Sequence, residues 1–189
     1  ADLITIDGIG LELALRIAGV GPVGRVTGVD LVEGLAQRGV PLFLLGGAPG
    51  AAEEARSQLT TRFAAARIAG AWSGGRAAAF DDRQTMDRIR DSGARVVAVA
   101  YGAPTQNQWI ERNRVALDEA GVRIAIGVGG TLDYLSGSVA RAPGMVRHIG
   151  MEFAWRLARE PWRWRRQLVL PIFAMRAGSE AFSRRLDRG

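Results

Sequence analysis

Short apolar runs alternate with amphipathic stretches along the first 140 residues. A run that is apolar throughout fits a strand covered on both faces, whereas apolar positions spaced three and four apart fit a helix laid against a sheet. On that basis strands are predicted at residues 2–6, 41–45, 95–100 and 122–128, with a weaker one at 67–72. Helices fit residues 29–38, 51–64, 81–91 and 106–119. The expected fold is α/β and Rossmann-like, a mainly parallel sheet with helices on both faces.

The pattern changes near residue 141. Beyond it no strand is legible, and helices are predicted at residues 145–158, 163–169 and 173–185, with Pro143, Pro161 and Pro171 marking the joints. Charge divides at the same place. All 25 basic residues are arginine, and the net charge of +6 splits into −1 over residues 1–140 and +7 over residues 141–189. Two domains are therefore expected: an α/β body, 1–140, and a basic helical appendage, 141–189. In the appendage Trp155, Trp162, Trp164, Phe173 and Phe182 interleave with the arginines, as in an amphipathic helix at a membrane surface. An anionic membrane or a diphosphate is the expected partner there, with self-association as a further way to cover the aromatic side chains.

Composition narrows the chemistry. With no cysteine, thiolate metal sites and cysteine nucleophiles are absent, and the single histidine, His148, cannot furnish a histidine-rich metal centre. Without lysine there is no Walker A loop and no Schiff base. No apolar run reaches the roughly 20 residues of a membrane-spanning helix, and no secretory signal opens the sequence, so a cytoplasmic body is expected. The chain begins on Ala1-Asp2-Leu3-Ile4 with almost no lead-in to its first strand, and is expected to be a fragment.

Each strong strand runs into small residues: Asp7-Gly8-Ile9-Gly10, Gly46-Gly47-Ala48-Pro49-Gly50, Gly102-Ala103-Pro104 and Gly127-Val128-Gly129-Gly130. In open α/β sheets ligands bind beyond the carboxyl ends of the strands, where glycine lets backbone approach a phosphate. Any one such turn is also what a tight strand-to-helix connection requires. Their recurrence points to a nucleotide site. Asp7 at the end of the first strand is placed either to cap the following helix or to serve as a proton acceptor. Asp133, after a glycine turn, suits either a helix cap or a hydrogen bond to nucleoside hydroxyls. Trp109 fits a core anchor. Arg156, Arg163 and Arg166 would share one face of a continuous helix, as a phosphate-binding set or as solvated charge. No Asp-x-Asp metal motif occurs, and Asp81-Asp82 fit the start of a helix.

Taken in order, Asp7-Gly8-Ile9-Gly10, Arg25-Val26-Thr27-Gly28, Phe43-Leu44-Leu45-Gly46-Gly47, Gly102 to Ile110, Gly127 to Asp133, Gly137, Arg141-Ala142-Pro143, Glu152 to Leu157, Glu160-Pro161 and Arg163 resemble the blocks of the WecG/TagA/CpsF glycosyltransferases. Thr105 and Asn107 stand where that family usually carries Lys and Glu. The resemblance implies an inverting, metal-independent transferase with no cofactor. It would move an N-acetylmannosamine-like or related hexose from a UDP-sugar to a polyprenyl-diphosphate-linked sugar in bacterial cell-surface polysaccharide synthesis, at the inner face of the plasma membrane. It further implies an additional amino-terminal stretch. Asp7 would be the general base, and Arg156, Arg163 and Arg166 would neutralise the departing diphosphate. Arg25, Gly46, Gly47, Pro104, Gln106, Gly129, Asp133 and Arg141 would line the substrate pocket.

Two readings of other classes compete. A nicotinamide-dependent oxidoreductase would need a third glycine at position 13, which is leucine. A non-catalytic membrane or nucleic-acid binding module is motivated by the +7 appendage, although nucleic acid is not the expected partner.

Overall fold

In the computed structural model, residues 26–74 and 82–140 and Trp155 are described. Gly28–Ala140 form one unit, and its core is a four-stranded sheet: β1 (Leu42–Gly46), β2 (Ile68–Trp72), β3 (Val96–Ala100) and β4 (Ile124–Gly127). All pairings are parallel and the spatial order is β2-β1-β3-β4. The helices are α1 (Gly28–Gln37), α2 (Ala51–Arg62), α3 (Asp82–Ser92), α4 (Thr105–Arg112), α5 (Arg114–Glu119) and α6 (Thr131–Leu135).

The strands are apolar throughout because both faces are covered. Leu42, Leu44, Val96 and Ala98 pack on one face with Val29, Val32 and Ala36 of α1, Ala52, Ala55 and Leu59 of α2, and Leu132 and Leu135 of α6. On the other face Phe43, Leu45, Val97 and Val99 meet Met86 and Ile89 of α3, Trp109 of α4 and Leu117 of α5. Successive strand residues point to opposite faces, so neither tolerates a polar position. Where β1 pairs with β2 the register slips after Leu42, and the absence of a side chain at Gly70 leaves room for the Phe43 ring. The expectation of an α/β, Rossmann-like body with helices on both sides of a parallel sheet therefore holds for the described residues.

Two elements depart from the pattern reading. The helix predicted at 106–119 is two helices, broken at Asn113, whose side-chain amide donates to the Trp109 carbonyl at 3.0 Å. The Trp109 carbonyl also keeps the Asn113 backbone amide at 3.0 Å, so the side chain adds a local bond of the kind for which asparagine is disfavoured in helix interiors. The strand predicted at 122–128 is shorter, Ile124–Gly127, since the Val122 amide is bonded to the Leu117 carbonyl of the preceding helix. The strand predicted at 2–6 and all the predicted helices of the appendage lie outside the described residues, apart from Trp155, which is helical.

Candidate active site

Parallel pairing puts the carboxyl ends of all four strands on one edge, and the order β2-β1-β3-β4 makes the connections diverge between β1 and β3. Such a divergence is where open α/β sheets usually take a ligand, beyond the carboxyl ends of the strands. Three glycine-containing loops meet beside it: 46–50 after β1, 101–104 after β3 and 128–130 after β4.

Gly46 and Gly47 have φ of +92° and +85°, a region that other residues enter at a cost of about 1–2 kcal/mol. Gly46 also lies under Tyr101, and a Cβ there would sit 2.8 Å from the ring. The Gly47 amide donates to the Ala100 carbonyl at 3.1 Å, joining the first loop to the end of β3. Beyond β3, Pro104 follows a cis peptide bond and opens α4, and the Gln106 amide returns to the Gly102 carbonyl at 2.9 Å. Gln106 is buried, and its Oε1 accepts from the Gly129 amide at 2.9 Å. Asp133 does not cap α6, which begins after Gly130. Its Oδ1 accepts from the Ala48 amide at 2.9 Å and so ties α6 to the first loop. The six predicted pocket residues Gly46, Gly47, Pro104, Gln106, Gly129 and Asp133 thus lie together at one edge. Asp7, Arg25, Arg141, Arg156, Arg163 and Arg166 lie outside the described residues.

The electrostatics of the edge argue against phosphate binding at the start of α2, the position a dinucleotide fold would use after β1. There the Ala52 amide is bonded to the Ser73 hydroxyl, and Glu53 occupies the first turn. The Glu53 carboxylate accepts from both the Ser73 amide, at 3.0 Å, and the Ser73 hydroxyl. Burial raises the Glu53 pKa, but the Ser73 hydrogen bonds and the charge of Arg88 outweigh it and hold the group below the usual range. A carboxylate fixed at a helix start competes directly with an incoming phosphate. The Gly47 and Ala48 amides are likewise engaged within the protein, so the first loop supplies a shaped wall more than a set of donors.

The surrounding packing is close. Trp109 is fully buried, the core anchor that its helical position predicts, and meets Tyr101 edge to face at 5.9 Å. Burial pushes the Tyr101 hydroxyl well above its ordinary pKa, so it stays protonated. Asp82 opens α3 as expected, and a two-pronged contact from Arg112 at 2.6 and 2.9 Å joins it to the end of α4. That fork is the main cause holding Asp82 below the usual carboxylate range. The pattern reading missed Glu53, Ser73 and Tyr101. Glu53 at the third helical position hints at a capping role, but its partner lies 20 residues away on another element, which no local pattern reveals.

Among the described residues no three His, Asp or Glu side chains gather as a metal site would need. Nor is any helix among them long and apolar enough to cross a membrane.

The model of the glycosyl transferase WecG/TagA/CpsF family matches residues 1–187. The chain is also 34% identical over 177 residues to the N-acetylglucosaminyldiphosphoundecaprenol N-acetyl-beta-D-mannosaminyltransferase of Bacillus spizizenii. That alignment takes in 92% of this chain and 66% of the relative, so the chain spans just under two thirds of the relative's length. With a match running almost end to end, and with the glycine loops of its blocks assembled on one sheet edge, the chain belongs to the WecG/TagA/CpsF glycosyltransferase family.

Proposed function

We propose that the protein transfers an N-acetylmannosamine-like aminosugar from a UDP-sugar to a polyprenyl-diphosphate-linked sugar in bacterial cell-surface polymer synthesis. The observation that carries this reading is the meeting of the β1, β3 and β4 loops at the sheet's divergence point, in a chain of this family. The relative's name supports a lipid-diphosphate acceptor and an aminosugar product. In the proposed reaction the acceptor hydroxyl attacks the anomeric carbon, its proton passes to the Asp7 carboxylate, and the bond from that carbon to the diphosphate breaks with inversion. Arg156, Arg163 and Arg166 neutralise the departing diphosphate, in the role a metal ion plays in many transferases. The domain boundary at residue 141 belongs to the same proposal, the basic appendage holding the protein peripherally at the inner membrane face.

Calorimetric titration of the full chain with UDP, a panel of UDP-sugars and NADH tests the donor. UDP and one UDP-aminosugar should bind, and NADH should not. Binding of NADH without UDP would overturn the reading in favour of an oxidoreductase. Transfer to a polyprenyl-diphosphate-linked N-acetylglucosamine, followed by mass analysis of the lipid product, tests the acceptor.

A further inference from the structure

The three loops at the candidate site are held by a closed ring of three hydrogen bonds. Gly47 of the β1 loop donates to Ala100 at the end of β3. Gly129 of the β4 loop donates to Gln106 of α4, which follows β3. Ala48 of the β1 loop donates to Asp133 of α6, which follows β4. One link is backbone to backbone, and the other two each depend on a side-chain oxygen. Left to themselves, glycine-containing loops would sample many conformations, and ordering them on ligand binding would cost affinity.

We propose that Gln106 is a positioning residue: its Oε1 clasps the Gly129 amide and, together with the Asp133 clasp on Ala48, pre-sets the loops that a nucleoside diphosphate meets. Three observations single out Gln106. It is only 8% exposed, leaving little surface with which to touch a ligand directly. The atom facing Gly129 must be the carbonyl oxygen, because the partner is an N–H donor. The space Gln106 fills exists because residue 127 is glycine, where a Cβ would lie 2.6 Å from Nε2. A ligand contact through the two side-chain N–H groups and a clasp through the oxygen separate by substitution.

The test compares Gln106→Glu, which keeps the acceptor and removes the N–H donors, with Gln106→Met, which keeps the bulk and removes the acceptor. In the full chain without ligand, the Gly129 amide should exchange hydrogen on the order of fivefold faster in Gln106→Met, the worth of one net hydrogen bond. It should stay near the parental rate in Gln106→Glu. Gly127→Ala, whose methyl group displaces the Gln106 amide, should reproduce the Met result should Gln106→Met fold poorly. Unchanged exchange at Gly129 in Gln106→Met and Gly127→Ala would overturn the proposal.

The second arm rests on the reading of this edge as a nucleotide-sugar site. Uridine is used because, being uncharged, it does not feel the added carboxylate as a diphosphate would. Its affinity should fall in Gln106→Met and be largely kept in Gln106→Glu. Equal loss in both would make Gln106 a direct ligand contact and overturn the positioning role. Failure of the parental protein to bind either uridine or UDP would instead overturn the nucleotide reading, with the exchange measurement still deciding the clasp.

Discussion

Replacing Gly46 with alanine tests how the β1 loop is built. Gly46 has a φ of +92° and is paired with Ala100 in the parallel ladder, so its backbone cannot swing to a conformation that alanine prefers. Left-handed backbone costs an L-residue about 1–2 kcal/mol. The added methyl would lie 2.8 Å from the Tyr101 ring and 3.1 Å from the Ala100 carbonyl carbon. The second neighbour is main chain and cannot yield, and overpacking of this kind costs about 1–3 kcal/mol. Together the loss should be about 2–5 kcal/mol. Gly121→Ala is the control, since Gly121 has a similar φ of +84° but nothing within 4 Å of a Cβ, leaving the conformational cost of about 1–2 kcal/mol alone. Urea unfolding of both variants, with matching denaturant slopes, gives the difference directly. If Gly46→Ala is no less stable than Gly121→Ala, the close approach of Tyr101 and Ala100 has been misread.

Trp109→Ala should cost about 3–5 kcal/mol, because the fully buried indole fills one core and supports Tyr101, while Trp109→Phe should cost clearly less by the same unfolding measurement. Asp82 has a depressed pKa in the folded state, so its contribution is present above the unfolded carboxylate pKa and is lost as pH falls through the folded value. Melting temperatures followed from neutral pH downward should therefore drop more steeply in the parental protein than in Asp82→Asn, and parallel curves would remove the Arg112 fork as the cause. With lipid-linked acceptor, Asp7→Asn should keep UDP affinity and lose transfer by roughly 10²–10⁴-fold, the usual contribution of a positioned base. Near-parental transfer would make Asp7 a structural residue.

Much of the body is legible in the pattern because a strand covered on both faces must be apolar at every position. Leu42 to Leu45 and Val96 to Ala100 announce themselves in this way. β4 is less distinct: Ile124 is half exposed, and the preceding Val122 belongs to the turn from α5. The break at Asn113 was hidden inside a favourable helical period. Among candidate site residues, the glycines could be found because a strand-to-helix turn needs them, but Gln106 and Asp133 carried no local sign of their partners. Those partners are 23 and 85 residues away in the chain.

Considered alone, the amino-acid sequence determined where the four strands and most of the helices of the described body lie, the absence of thiol and lysine chemistry, and the placing of excess positive charge in residues 141–189. These follow from period, residue type and count, which are local properties. The tertiary structure decided the order β2-β1-β3-β4, and with it the pair of strands between which the connections diverge. It also decided which backbone donors are already engaged, the Gly47 amide by the Ala100 carbonyl and the Ala48 amide by Asp133. A hydrogen bond depends on where two atoms meet in space, and residues 23 or 85 positions apart meet only once the sheet has set the strand order.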